Sequence, residues 1–419
     1  MRHDSREARE ARSPAARAFA LACACCRAPG DPDRDELVRR LAAETSWSAV
    51  EALAGRHRIE GLVFAALRRA GVEPPAPFGA RLRDRAAAIA AAGLRQAAES
   101  VRLQAAFDAA GVANLLIKGV AVEVLAWGRI GVKQAWDIDV LVEEGDIDRA
   151  GAVLAGLGYA LARPAGLDAE GWRLWIAQAK EAEWVHRLTG EVVELHWRLT
   201  DAATLLPGLN ARSPARATPL AAGSPATIRT LGAEETFAYL CVHGASHAWI
   251  RLKWLADVDA LLAPLSPAER LDLHRRAIDL GAGRCTAVAM MLCRRLFDLA
   301  LPAALVEDIG RDRRTRALAA LAMAAMRAGG SGDIAERPLL GDAILLSQLL
   351  FADGAGFLGA ELRRQWTSLD DRLRLRLPPA LAPLYPLARV PLWMWRRLRP
   401  RIGRPGQTRE RALMVRKAR

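Results

Sequence analysis

Lysine is scarce in this chain: of its 60 basic residues only five are Lys, and all the rest are Arg. Aromatic rings are also few, with 3 Tyr and 8 Phe beside 12 Trp. No apolar run is long enough to span a bilayer; residues 343–360 come closest, but Asp353 and several glycines interrupt them. The first residues carry both signs of charge and lack the apolar stretch of a secretory signal. The six cysteines do not suggest a disulfide framework, and Cys23 and Cys26 have C-x-x-C spacing without a second pair or a nearby His to complete a zinc site. All six read as reduced, small apolar residues of a cytoplasmic protein.

What is present is a chain of 419 residues, 52% hydrophobic, with a net charge of +13 and pI near 10.3. That balance favours anionic partners such as nucleotides, nucleic acid or an acidic membrane surface. The excess of Arg reads as a bias of the whole chain, which makes the positions that stay Lys informative. An ammonium on a flexible stem does not replace a guanidinium fork. Lys118, Lys133 and Lys253 all fall in motifs described below.

Five segments follow from the patterning. Residues 1–32 read as an Arg-rich, weakly ordered leader and 33–110 as a helical region. Residues 111–225 read as an α/β core, 226–380 as a second helical region and 381–419 as a basic tail. In the first helical region Leu37, Leu41, Val50, Leu53, Leu62, Leu67, Leu82 and Ile89 recur at helical spacing. Pro74-Pro75-Ala76-Pro77 divides it, and a long helix is expected over 77–110. Strands are expected over 113–118 and 138–142, with helices over 120–127 and 147–157. Thr189-Gly190 between two alternating runs marks a two-residue hairpin. The Pro- and Ala-rich stretch 202–225 reads as a loop.

Asp137-Ile-Asp139 opens the strand Ile138-Asp-Val-Leu-Val142. Residues two apart on a strand share a face, so an otherwise buried strand carries two adjacent negative charges. Such a pair is costly unless a cation lies between them. Glu194 in the hairpin supplies a third carboxylate, as a metal ligand or a general base, and His196 shares its face. Three carboxylates on neighbouring strands suit a divalent ion used in phosphoryl or nucleotidyl transfer.

The block Leu116-Ile-Lys-Gly119, Asp137-Ile-Asp-Val-Leu-Val142, Leu157-Gly-Tyr159 and Val193-Glu-Leu-His-Trp-Arg198 resembles a bacterial family of uncharacterised nucleotidyltransferases within the DNA polymerase β-like superfamily. A second block, Cys241-Val-His-Gly244, His247, Leu252-Lys-Trp-Leu255 and Asp257, is similar to that family's helical part. The resemblance covers about residues 40–300. It implies an α+β fold, a small mixed sheet with helical regions before and after it. It also implies transfer of a nucleoside monophosphate, AMP for preference, from an NTP with Mg²⁺ or Mn²⁺ to an acceptor, small molecule or protein, that the residues do not name. Asp137, Asp139 and Glu194 would be the catalytic metal ligands. Lys118, Gly119, Lys133, His196 and Lys253 would meet the nucleotide and its phosphates. The chain departs from the superfamily where Lys118-Gly119-Val120 replaces Gly-Ser, where Lys133 replaces Arg, and at Trp136, where a small residue is usual.

Several features have a plainer reading. His243 and His247 lie one helical turn apart, a zinc-compatible spacing without a third ligand. Asp257 and Asp259 repeat the Asp-x-Asp spelling on a helix, where it splays the two side chains; Asp257 is expected to pair with Lys253. Trp172, Trp175, Trp184 and Trp197 suit core packing better than stacking on a base. Two other functional classes remain open: a non-catalytic nucleotide-binding regulator on the same fold, and a membrane or nucleic-acid adaptor acting through the Trp393-Met-Trp-Arg-Arg tail.

Overall fold

A computed structural model describes residues 13–28, 30–31, 33–328, 338–366 and 369–375, with scattered single positions from 377 to 394. The basic tail beyond 381 thus lies almost wholly outside the described residues. None of the described helices is long and apolar enough to cross a membrane.

The first element lies where a weakly ordered leader was expected. Ser13 caps helix α1 (Pro14–Cys26) by accepting from the Ala16 amide, and Pro14 starts the helix. Phe19, Leu21, Cys23, Cys25 and Cys26 are buried along it. Helices α2 (Arg34–Ala43), α3 (Trp47–His57) and α4 (Glu60–Arg69) pack around α1. Helix α5 (Ala76–Ala109) then runs 34 residues, at the position its apolar spacing predicts.

The sheet follows, with β1 (Asn114–Leu116), α6 (Val120–Trp127), β2 (Ile138–Val142), α7 (Ile147–Gly156), β3 (Tyr159–Arg163), α8 (Ala169–Gln178), β4 (Glu181–His186) and β5 (Val192–His196). Strand order is β1-β2-β5-β4-β3, with β2 and β5 parallel and the other pairs antiparallel. The β4–β5 hairpin turns around Thr189-Gly190, but through residues 187–191 and not the two-residue loop expected.

All five residues of β2 are buried. Ile138, Val140 and Val142 pack with Leu103 and Phe107 of α5 and Leu154 of α7, while Leu141 joins the helical core on the opposite face. Burying each such side chain contributes roughly 1.5–3 kcal/mol, so register is strongly specified. Asp139 must then share the face of Leu141, toward the C-terminal helices.

The stretch 202–225 is not all loop. It contains β6 (Ala215–Pro219), paired with β7 (Thr227–Leu231). Gln104 of α5 supports this hairpin by donating to the Thr227 carbonyl and accepting from the Arg229 amide. Helices α9 (Ala233–Ser246), α10 (Leu252–Leu262), α11 (Pro267–Asp279), α12 (Gly283–Phe297), α13 (Ala303–Arg311) and α14 (Arg313–Arg327) complete the helical core, followed by α15 (Pro338–Ser347), α16 (Ala355–Trp366) and α17 (Leu369–Arg374). Between α9 and α10 the chain turns sharply through Ala248 and Trp249, both with positive φ. Gly244 makes room for the turn: a Cβ there would lie 2.3 Å from the Trp249 ring.

Candidate active site

The parallel register sets Asp139 of β2 directly beside Glu194 of β5, and the antiparallel hairpin sets His196 opposite Glu181. His196 is fully buried, with Nε2 3.0 Å from Asp139 Oδ1 and 3.6 Å from Glu194 Oε2. Its Nδ1 lies 3.2 Å from Glu181 Oε2 but outside hydrogen-bond geometry. Burial opposes a charge on the imidazole; Glu181, Asp139 and Glu194 outweigh it and raise the His196 pKa. His196, hydrogen-bonded to Asp139, thus orients that carboxylate. The expected contact with the nucleotide is not available to it, because it does not line the cavity.

Lys118, two residues past β1, places its ammonium 2.5 Å from Asp139 Oδ1 and 4.0 Å from Glu194 Oε2. Asp139 is buried, which alone would raise its pKa, but Lys118 and His196 hold it well below the usual carboxylate range. Asp137 is relieved only in part, by Lys118 and Lys253. It makes no hydrogen bond among the described residues, and burial together with Asp139 and Glu194 pushes its carboxyl up to about 7. Gly119 follows Lys118 at φ 58°, ψ −124°, a conformation open to glycine, and leads into α6.

The loop joining α6 to β2 is held from below. Glu123 accepts from the amides of Gly131, Val132 and Lys133, fixing the segment that leads to Asp137. Above it stands α10. Asp257 accepts from Trp127 Nε1 at 2.8 Å and from Lys133 Nζ at 2.5 Å. This corrects the expected Lys253–Asp257 pair: Lys253 instead donates to the Gln134 carbonyl at 3.0 Å. On a helix Asp257 lies a turn beyond Lys253, but the incoming loop brings Lys133 closer. The ammonium of Lys133 is thereby committed to Asp257 rather than free for a phosphate. Burial, Arg58 and Lys133 lower the Lys253 pKa to about 8.

These groups surround one cavity of about 380 Å³. Four of the chain's five lysines line it: Lys118, Lys133, Lys180 and Lys253. Lys180 and Glu181, at the start of β4, went unnoticed in the sequence. The scarcity of lysine, applied to all five positions, would have singled out Lys180. Arg58 also lines the cavity and sits 4.7 Å over the half-exposed Trp136 ring. His243 and His247 lie against Trp254 in edge and tilted contacts, and both line the cavity wall. Trp172, Trp175 and Trp197 pack α8 onto the sheet, Trp175 and Trp197 donating to the Glu181 and Ala179 carbonyls, so these rings serve packing.

The donor set fits a divalent cation. Asp139, Glu194 and His196 offer atoms within 4.8 Å of one another; Asp137 is outside that group but lines the same cavity. Carboxylate oxygens suit hard ions such as Mg²⁺ and Mn²⁺. The acidic centre lies on the interior strands β2 and β5 of a small mixed sheet, facing a basic cavity. The chain belongs to the family of uncharacterised nucleotidyltransferases, whose model matches residues 43–298. No curated protein and no solved structure matches it.

Proposed function

We propose that this protein transfers a nucleoside monophosphate, with AMP the first case to test, from an NTP to an acceptor hydroxyl or phosphate. One observation carries the reading: Asp139 and Glu194 stand side by side and, with Asp137, line a cavity that holds four of the chain's five lysines. The acceptor oxygen attacks the α-phosphorus, the bond to the bridging oxygen breaks, and pyrophosphate leaves with the electron pair. Asp137, Asp139 and Glu194 would hold the divalent ion. When bound, such an ion offsets charge on the phosphates and lowers the pKa of the acceptor hydroxyl.

The protein's own groups do the rest. Lys253 and Lys180 offer charge to the triphosphate, and the amides at the start of α6, exposed by Gly119, favour a phosphate oxygen. His196 keeps Asp139 oriented. Glu194, nearest the acceptor, is either a further ligand or the group that takes the acceptor's proton. A second cavity of about 990 Å³ shares Lys180, Glu181 and Asp201 with the first. Arg163, Arg198, Arg363 and Arg364 line it, which makes it the acceptor's approach and favours an anionic acceptor.

Calorimetric titration with a nonhydrolysable ATP analogue tests this. Binding should require Mg²⁺ or Mn²⁺ and be lost in Asp137→Ala; binding indifferent to both would overturn it. A non-catalytic nucleotide sensor is the second reading, favoured by the bulky Trp136 directly before Asp137, with Arg58 over its ring. Pyrophosphate release from ATP that Asp137→Ala abolishes would dismiss it.

A further inference from the structure

We infer that Lys118 is a tethered counter-ion that keeps the place of the divalent cation until a nucleotide arrives, so that the metal alone binds poorly and metal and nucleotide bind together. The inference rests on the functional reading above and concerns how that same centre is loaded.

Its ammonium lies 2.5 Å from Asp139 Oδ1 and 4.0 Å from Glu194 Oε2. The same two oxygens are 3.0 and 3.6 Å from His196 Nε2. A cation bridging Asp139 Oδ1 and Glu194 Oε2 would occupy the position that the Lys118 ammonium now holds. His196 cannot yield instead, being fully buried between the strands.

The charges nearby agree. Lys118 and Lys180, whose ammonium is 3.1 Å from Glu181, already face the carboxylates of Asp139, Glu194 and Glu181. A divalent ion brought in beside these ammoniums meets like charge in a buried place, which is costly. A triphosphate offsets that charge and gives Lys118 a new partner. Lys118 is suited to the exchange: its flexible stem is rooted at Gly119, beside the start of α6 where phosphate would lie.

The test measures Mn²⁺ retained by the full chain in equilibrium dialysis, with and without α,β-methylene-ATP at equal concentration on both sides, so that Mn²⁺ chelated by the analogue alone cancels. The wild type should bind Mn²⁺ weakly alone and at least about tenfold tighter with the analogue, a coupling ordinary for linked sites. Lys118→Met should bind Mn²⁺ alone about tenfold tighter than the wild type and lose most of the coupling. Lys118→Gln, which keeps a hydrogen-bond donor but no charge, should behave the same way and covers the case in which the methionine variant does not fold. If neither neutral variant binds Mn²⁺ more tightly than the wild type, while the wild type still binds Mn²⁺ with the analogue, the counter-ion role is overturned and the functional reading stands. If the wild type binds no Mn²⁺ even with the analogue, the functional reading itself fails.

Discussion

The chain carries two Asp-x-Asp pairs, Asp137-Ile-Asp139 entering β2 and Asp257-Val-Asp259 within α10, and their charges are met in different ways. Asp257 receives an indole N–H and the ammonium of Lys133, and Asp259 receives the Ala28 amide at 3.1 Å. Both obtain their donors from the surrounding fold. Asp139 is likewise paired, but Asp137 has no donor and stands beside two further carboxylates. A shifted pKa does not separate the pairs, since burial pushes both Asp137 and Asp259 up to about 7. The partners separate the pairs: both acids of the second take donors from the fold, whereas the first keeps one acid, Asp137, beside like charges and open to a ligand.

Four substitutions bear on this contrast. Asp137→Ala should lower nucleotidyl transfer by at least about 10³-fold, roughly 4 kcal/mol in the barrier, while the melting temperature stays level or rises. A fall in both would make Asp137 structural and collapse the distinction. Asp257→Ala should do the reverse, leaving Lys133 buried and unpaired at a cost of about 3–5 kcal/mol in denaturant unfolding. His57 belongs with the structural pair. Its Nδ1 accepts from the Leu252 amide at the start of α10, and burial lowers its pKa to about 3. The unfolded chain therefore binds the extra proton, so stability is present above about pH 6.5 and drains as pH falls toward 3. His57→Asn, which keeps an acceptor without the titration, should flatten the loss between pH 7 and 5 by about 2 kcal/mol. Asp259→Asn is the smallest expected change, about 1 kcal/mol or less in stability and none in transfer rate.

Much of the core was legible because local pattern and burial agree there. The α5 periodicity, the Thr189-Gly190 turn and the alternation of apolar residues through β2 each place an element without help from distant residues. The Asp137, Asp139 and Glu194 pattern also placed three acids together, because strand alternation and pairing carry that information. Other features depend on contacts far apart in the chain. Helix α1 was hidden by the charged residues before it, although Ser13-Pro14 is a helix start. Strand β6 was hidden because its partner and the supporting Gln104 lie elsewhere in the chain. Lys133 was assigned to a phosphate because nothing local shows that Asp257, 124 residues away, would claim it. Lys180 and Glu181 precede a strand whose neighbour brings them to His196.

The central claim is that Asp137, Asp139 and Glu194 hold a divalent ion for a nucleotide in the lysine-lined cavity. A crystal grown with α,β-methylene-ATP and Mn²⁺, recorded at the manganese absorption edge, tests it most directly. The account predicts an anomalous peak about 2.0–2.3 Å from oxygens of Asp137 and Asp139, with the triphosphate beside Lys253 and the Lys118 ammonium withdrawn from Asp139. A triphosphate bound elsewhere, or manganese absent from these carboxylates while Lys118 keeps its place, would contradict it.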